Sequence, residues 1–327
     1  MASSTITTTG GPDPGELFVL DLTGKRYRRV SEQIVKGFLV LCASLTLLTT
    51  IGIVGILLYE SFAFFRSVSI WKFLTGMKWT ALSSGDQQQF GVVPLVTGTL
   101  TIAVVSALIS IPLGLSAAIY LSEYASDSAH AILKPVLEFL AGVPTIVYGF
   151  FALTFITPKL ITPVLDVGAF NGLSAGIAIG IMTLSMVASL SEDALRAVPR
   201  SLREAAYGLG ATKFETSIKV IVPAATSGII ASFILAISRA IGETMIVAVA
   251  AGGSPAGQTG VSSGPFDLTQ SMQTMTGFIA YTFSSDVARG TSQFYSLFGV
   301  GLLLFAMTFV MNVVSQWVAR RFREVYE

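Results

Sequence analysis

The chain has 327 residues, 52% of them hydrophobic and only 12% charged, with a net charge of +1 and a mean hydropathy of +0.73. A soluble domain carries about 25% charged residues, so this chain cannot cover a water-facing surface. Its near-neutral balance also offers no basic field for nucleic acid. A single cysteine, Cys42, and a single histidine, His130 in what reads as a short polar loop, exclude an intramolecular disulfide and leave too few ligands for a zinc cage.

Residues 1–24 are rich in Ser, Thr, Gly and Pro and have little to bury, which predicts a disordered tail. No basic residue precedes Lys25, and no small-residue cleavage site follows the first apolar run, so the tail does not read as a secretory signal. The rest, 25–327, reads as one all-α integral membrane domain. A spanning helix needs about 20 apolar residues to cross about 30 Å of hydrocarbon. Six stretches reach that length, near Gly37–Phe62, Val93–Tyr120, Ile132–Ile156, Leu173–Leu190, Ser227–Ala251 and Tyr295–Val318.

Lys and Arg collect in cytoplasmic loops. With the N-terminus inside, 14 cations fall inside and 5 outside, and Arg239 lies within a span. Both termini are therefore predicted to be cytoplasmic. Two long segments then face outward. One, near 64–91, carries Trp71 and Trp79, residues favoured at the membrane–water boundary. The other, near 252–294, contains an apolar stretch, Met272–Phe283, too short to span but suited to lie on the membrane or dip into it. Pro144 interrupts the third run and predicts a kink there.

The inside segment between the fourth and fifth runs, about 200–216, is the most informative. Ser201 and Glu204 have capping-box spacing for a short helix, Pro199 suits its start, and Gly208 and Gly210 allow a sharp turn before a second helix near Thr212. Ala205 and Ala206 would leave a flat surface open to another protein. Within the fifth run, Arg239 and Glu243 are four residues apart, which puts them on one face of a continuous helix. Charges at that depth normally face a protein interior or a water-filled path. The pair reads either as a fixed bridge that sets helix packing or as an anion pathway, because an arginine fork suits two oxygens of an oxyanion.

Glu204-Ala205-Ala206, three residues, Gly210, then Pro223 resembles the EAA loop of ABC importer permeases; Val220 and Val222 stand where that family has Ile and Leu. Together with Gly142–Gly149 and Ser238–Thr244, the resemblance extends to phosphate-specific ABC importer permeases of the PstC type and covers nearly the whole chain after the tail. It implies a six-helix type I permease whose Glu204, Ala205, Ala206 and Gly210 couple to a cytoplasmic ATPase. Arg239 and Glu243 would line the substrate pathway. It also implies a sister permease as heterodimer partner, two ATPase copies, an extracytoplasmic phosphate-binding protein, and the lipid of the cytoplasmic membrane. The chain has no Gly-x-x-x-x-Gly-Lys-Ser/Thr phosphate loop, so it is expected to be no enzyme itself and to bind no cofactor, ATP and magnesium belonging to the ATPase. Two alternatives stand beside phosphate import: a permease for sulfate or molybdate, and a stand-alone ion-coupled transporter, although the halves show no clear repeat. A membrane enzyme fits poorly, since Ser185 and Ser189 have no histidine at their depth.

Overall fold

The structure, a computed structural model, describes residues 26–83, 87–253, 266–285 and 287–321. The tail 1–24 lies outside them. The chain divides into two units at Ile56/Leu57. The first unit is described over 26–56, which is helical throughout and forms the start of α1 (Arg26–Ser67). Over 32–56 its apolar side chains are exposed, Cys42 among them, apart from the half-buried Val54, as suits a surface that meets lipid or another subunit.

The described residues of the second unit are mostly helical. In chain order it holds the end of α1, then α2 (Ile70–Thr75), α3 (Val93–Ile119), α4 (Asp127–Gly142), α5 (Thr145–Phe151), α6 (Gly172–Arg196), α7 (Arg200–Gly208), α8 (Lys213–Thr216), α9 (Val222–Ala224), α10 (Thr226–Ile241), α11 (Met275–Phe283) and α12 (Ser292–Arg321). Wider π-type turns extend α3 over Tyr120–Tyr124, extend α5 over Ala152–Ile161, and fill Ser217–Ile221 and Val247–Ala251.

Four helical stretches are long and apolar enough to cross a membrane: Glu32–Ser67, Val93–Tyr124, Gly172–Arg196 and Ser292–Val318. Two bent pairs bring the total to six if each is one span. In the first, α4 meets α5 and its extension at 90° across Val143-Pro144, which fits the kink expected at Pro144. Proline disfavours helix in the residue before it, and the Tyr148 hydroxyl donates to the Leu140 carbonyl across the bend at 2.7 Å. In the second, Lys213–Ala224 meets α10 at 72° just after Pro223.

The core sits between α3 and α6, which pack along their length. Glycines set that distance: a Cβ on Gly176 would lie 2.6 Å from a Val105 methyl, and one on Gly180 3.0 Å from Ile109. Small residues at such seams let backbones approach, which is how membrane helices gain packing without a hydrophobic drive.

The segment 64–91 departs from expectation. Trp71 is exposed, but Trp79 is buried, edge-on to Phe278 of α11 at 4.8 Å between centroids. Phe64, Phe73 and Phe90 complete the cluster. Edge-to-face pairing adds about 0.5–1.5 kcal/mol per pair to burial, which outweighs the boundary preference here. The apolar stretch near 272–283 dips inward as α11, with Met275 and Phe278 fully buried.

Candidate functional site

Arg239 stands in the last turn of α10, which ends at Ile241. Gly242 closes it, and Glu243 and Thr244 are non-helical before helical structure resumes at Met245. Arg239 and Glu243 are therefore not on one continuous helix, which corrects the expectation from their spacing. Two features make the break. Gly242 is a poor helix former, and the Glu243 carboxylate takes helix-starting donors: its Oε1 accepts from the backbone N–H of Met245 at 3.1 Å and of Ile246 at 3.4 Å.

The break is braced from two sides. The Thr276 hydroxyl donates to the Glu243 carbonyl at 2.7 Å, and Thr274 caps α11 by accepting from Gly277 N–H at 2.9 Å. The Met275 N–H donates to the Thr99 hydroxyl of α3 at 3.0 Å. Glu243 is 6% exposed. Arg239 is exposed and has no ion-pair or hydrogen-bond partner among the described residues, so it forms no bridge with Glu243. Leu235, Arg239 and Gly242 follow i, i+4, i+7 spacing and are all exposed. An arginine so placed on a membrane helix costs about 2.5–3.5 kcal/mol on the insertion scale unless it meets water or a partner. Secondary transporters build substrate sites at breaks of this kind in membrane helices.

The segment after α6 forms a helix–turn–helix. α7 starts at Arg200 behind Pro199, with no side-chain cap, so Ser201 lies inside the helix rather than capping it. The box of that spacing forms four residues past Gly208 instead. The Thr212 hydroxyl accepts from Glu215 N–H at 3.3 Å, and the Glu215 carboxylate accepts from Thr212 N–H at 3.1 Å. The backbone N–H of Thr212, then its hydroxyl and Lys219, hold the Glu215 carboxyl below the usual glutamate pKa.

The turn rests on Gly210, at φ +82°. Its N–H donates to the Tyr207 carbonyl at 2.9 Å, and the Ala211 N–H to the Ala206 carbonyl at 3.1 Å, the two bonds of a Schellman stop. Glu204 and Ala205 are exposed, whereas Ala206 is buried and seats the helix on the protein. The flat surface expected of both alanines is thus offered by Ala205 alone. Leu209 is 90% exposed and Phe214 65%, one on each side of the Gly210 turn.

Sequence reasoning missed a charged cluster. Glu192, fully buried near the end of α6, lies 2.7 Å from His130 Nε2, 2.8 Å from Arg196 Nε and 3.4 Å from Lys134 Nζ; Lys134 also reaches Asp193 at 3.3 Å. His130 is thus on a helix, α4, and paired. The signal was available: His130/Lys134 and Glu192/Arg196 are both i,i+4 pairs. A second missed pair, Glu123 with Arg203, lies where α7 meets the end of α3.

The model of the family described as binding-protein-dependent transport system inner membrane component matches residues 110–324. The chain belongs to this family. It is 32% identical to a probable ABC transporter permease protein, YqgH, of Bacillus subtilis, over 87% of this chain and 88% of that one. It is 31% identical to the phosphate transport system permease protein PstC of Haemophilus influenzae (73% and 78%), and 29% identical to PstC of Mesorhizobium japonicum (85% and 87%). Among solved structures, a bacterial alginate ABC transporter shares the fold at TM-score 0.60 and 13% identity, over 93% of this chain and all of that one. The methionine transporter MetNI matches at TM-score 0.54 and 19% identity, over 71% and 96%. The PstC-type resemblance and the type I permease fold expected from sequence are borne out. The chain is a multi-pass inner-membrane component of an ABC transport system and not its catalytic subunit.

Proposed function

We propose that this chain is the translocation subunit of an ATP-driven importer for inorganic phosphate. The observation that carries the reading is Arg239: an exposed guanidinium with no partner among the described residues, beside a helix break, in a chain similar to PstC permeases. Its exposed face is the wall of a path that a sister permease closes from the other side. Arginine offers planar paired donors to two oxygens of the anion. Glu243 Oε2 has no partner among the described residues, and a carboxylate can only accept hydrogen bonds, so it suits an oxyanion that still carries a proton. Phosphate carries one at neutral pH and sulfate does not.

The 200–216 segment faces the cytoplasm, as do both termini. Glu204, Ala205 and Gly210, with the apolar tip at Leu209 and Phe214, seat in a cytoplasmic ATPase present in two copies, and Ala206 anchors that helix. ATP and magnesium belong to that ATPase, and an extracytoplasmic binding protein delivers phosphate to the outer segments.

The test is uptake of radiolabelled phosphate by proteoliposomes holding this chain with its ATPase, sister permease and binding protein. ATP-dependent uptake that excess arsenate suppresses and excess sulfate or molybdate does not is the expected result. Competition by sulfate or molybdate instead would transfer the reading to another oxyanion. Uptake that needs an ion gradient and no ATPase would replace it with a secondary transporter.

A further inference from the structure

The coupling helix α7 has nine residues, and Ala206 is its one buried side chain. Burial alone holds such a helix weakly. Its strongest attachment is polar. Arg203, 17% exposed, donates through Nη2 and Nε to the two oxygens of Glu123 at 3.0 and 3.4 Å. Its Nη1 donates to the Val198 carbonyl at 2.6 Å, and Nη2 also to the Leu195 carbonyl at 2.8 Å. Glu123 is 5% exposed and belongs to the last turns of the α3 span. Leu195 is in the last turn of α6, where a cation meets the negative end of the helix dipole. One guanidinium thus holds the ends of two membrane helices and the helix that meets the ATPase.

From α6 the connection runs on to the pathway. Ser191 and Ser232 share a hydrogen bond of 2.8 Å between α6 and α10, and a Cβ on Gly228 would lie 2.5 Å from that of Ala194. Arg239 stands two turns further along α10.

We propose that Arg203 is the positioning residue that fastens the coupling helix to the membrane helices, so that α7 and the ends of α3 and α6 move as one body when the ATPase closes. The proposal rests on the importer reading above. Lysine cannot replace Arg203, because a single ammonium lacks the fork that reaches Glu123 and two carbonyls together.

The complete complex in proteoliposomes tests it, with ATP hydrolysis measured with and without substrate-loaded binding protein. Arg203→Lys and Glu123→Gln keep the ATPase bound, and the stimulation by binding protein falls about tenfold, within the range of coupling between distant sites. A merely stabilising contact would lower yield or Tm and leave the stimulation ratio unchanged. Stimulation equal to wild type in both variants overturns the proposal.

A second measurement leaves Arg203 and Glu123 in place. Spin labels at Gly208→Cys and Tyr124→Cys, in a Cys42→Ser background, report the distance from α7 to the end of α3. The expected distance is the same in nucleotide-free and nucleotide-trapped complexes, and a change between them overturns the proposal. A wild-type complex whose ATPase ignores the binding protein would overturn the importer reading instead.

Discussion

The hydroxyl of Thr276, one residue into α11, donates to the main-chain carbonyl of Glu243 at 2.7 Å, thirty-three residues away in sequence. An inserted short helix thereby holds open a break in another, and the buried carbonyl that the break frees has a donor. Thr276→Val removes that donor at nearly constant volume and leaves the carbonyl unsatisfied, at a cost of about 1–3 kcal/mol. The purified complex should melt at lower temperature and transport more slowly. Thr276→Ser restores the donor and should recover most of both.

Gly210 has a positive φ that an L side chain adopts at a cost of about 1–2 kcal/mol. A Cβ there meets nothing within 4 Å, so crowding does not add to that cost. Gly210→Ala should loosen the turn and lower the amount of ATPase that co-purifies with the tagged chain, while Gly210→Asn, which tolerates the left-handed region, should retain more of it. Equal recovery from both would separate the turn from ATPase binding.

Glu215 gives the turn a pH dependence. Its folded-state pKa lies below its unfolded value, chiefly because Thr212 N–H donates to its carboxylate. Its contribution is therefore present above the unfolded pKa and lost as pH falls through the folded one. Amide exchange at Thr212, corrected for intrinsic rate, should accelerate in acid below the ordinary glutamate range. Glu215→Gln should remove that dependence.

Glu192 is fully buried among His130, Lys134 and Arg196, which remain partly exposed. Breaking a buried ionic group by removing one partner costs about 3–5 kcal/mol, and two cations and the His130 imidazole depend on this carboxylate. Glu192→Ala should lower the Tm of the complex more than Lys134→Ala, since Lys134 keeps water contact. The two thermal shifts, read side by side, check this order.

Much of the architecture was legible in the sequence because hydrocarbon imposes length and polarity on each span. The four single-helix spans and the bend at Pro144 follow from apolar runs and one imino ring. The helix break between Arg239 and Glu243 was not legible from i,i+4 spacing. It depends on Gly242 and on a carboxylate turning to cap the next segment, with Thr276 arriving from a distant part of the chain. Capping misled for a related reason. Ser201–Glu204 and Thr212–Glu215 have the same spacing, and the second forms because the Gly210 turn delivers Thr212 to a helix start, whereas Pro199 already starts α7. Trp79 was assigned to the membrane boundary because nothing local foretells the aromatic cluster that Phe64, Phe73, Phe90 and Phe278 build around it.

The most direct test of the central claim, that Arg239 receives the anion in transit, is ATP-driven phosphate uptake by proteoliposomes containing Arg239→Gln in an otherwise complete complex. Arg239 has no partner among the described residues, so assembly and ATPase content should match wild type. Uptake should fall at least about tenfold, as for loss of a charge-assisted pair of about 1.5–3 kcal/mol. Undiminished uptake at wild-type assembly would contradict the account.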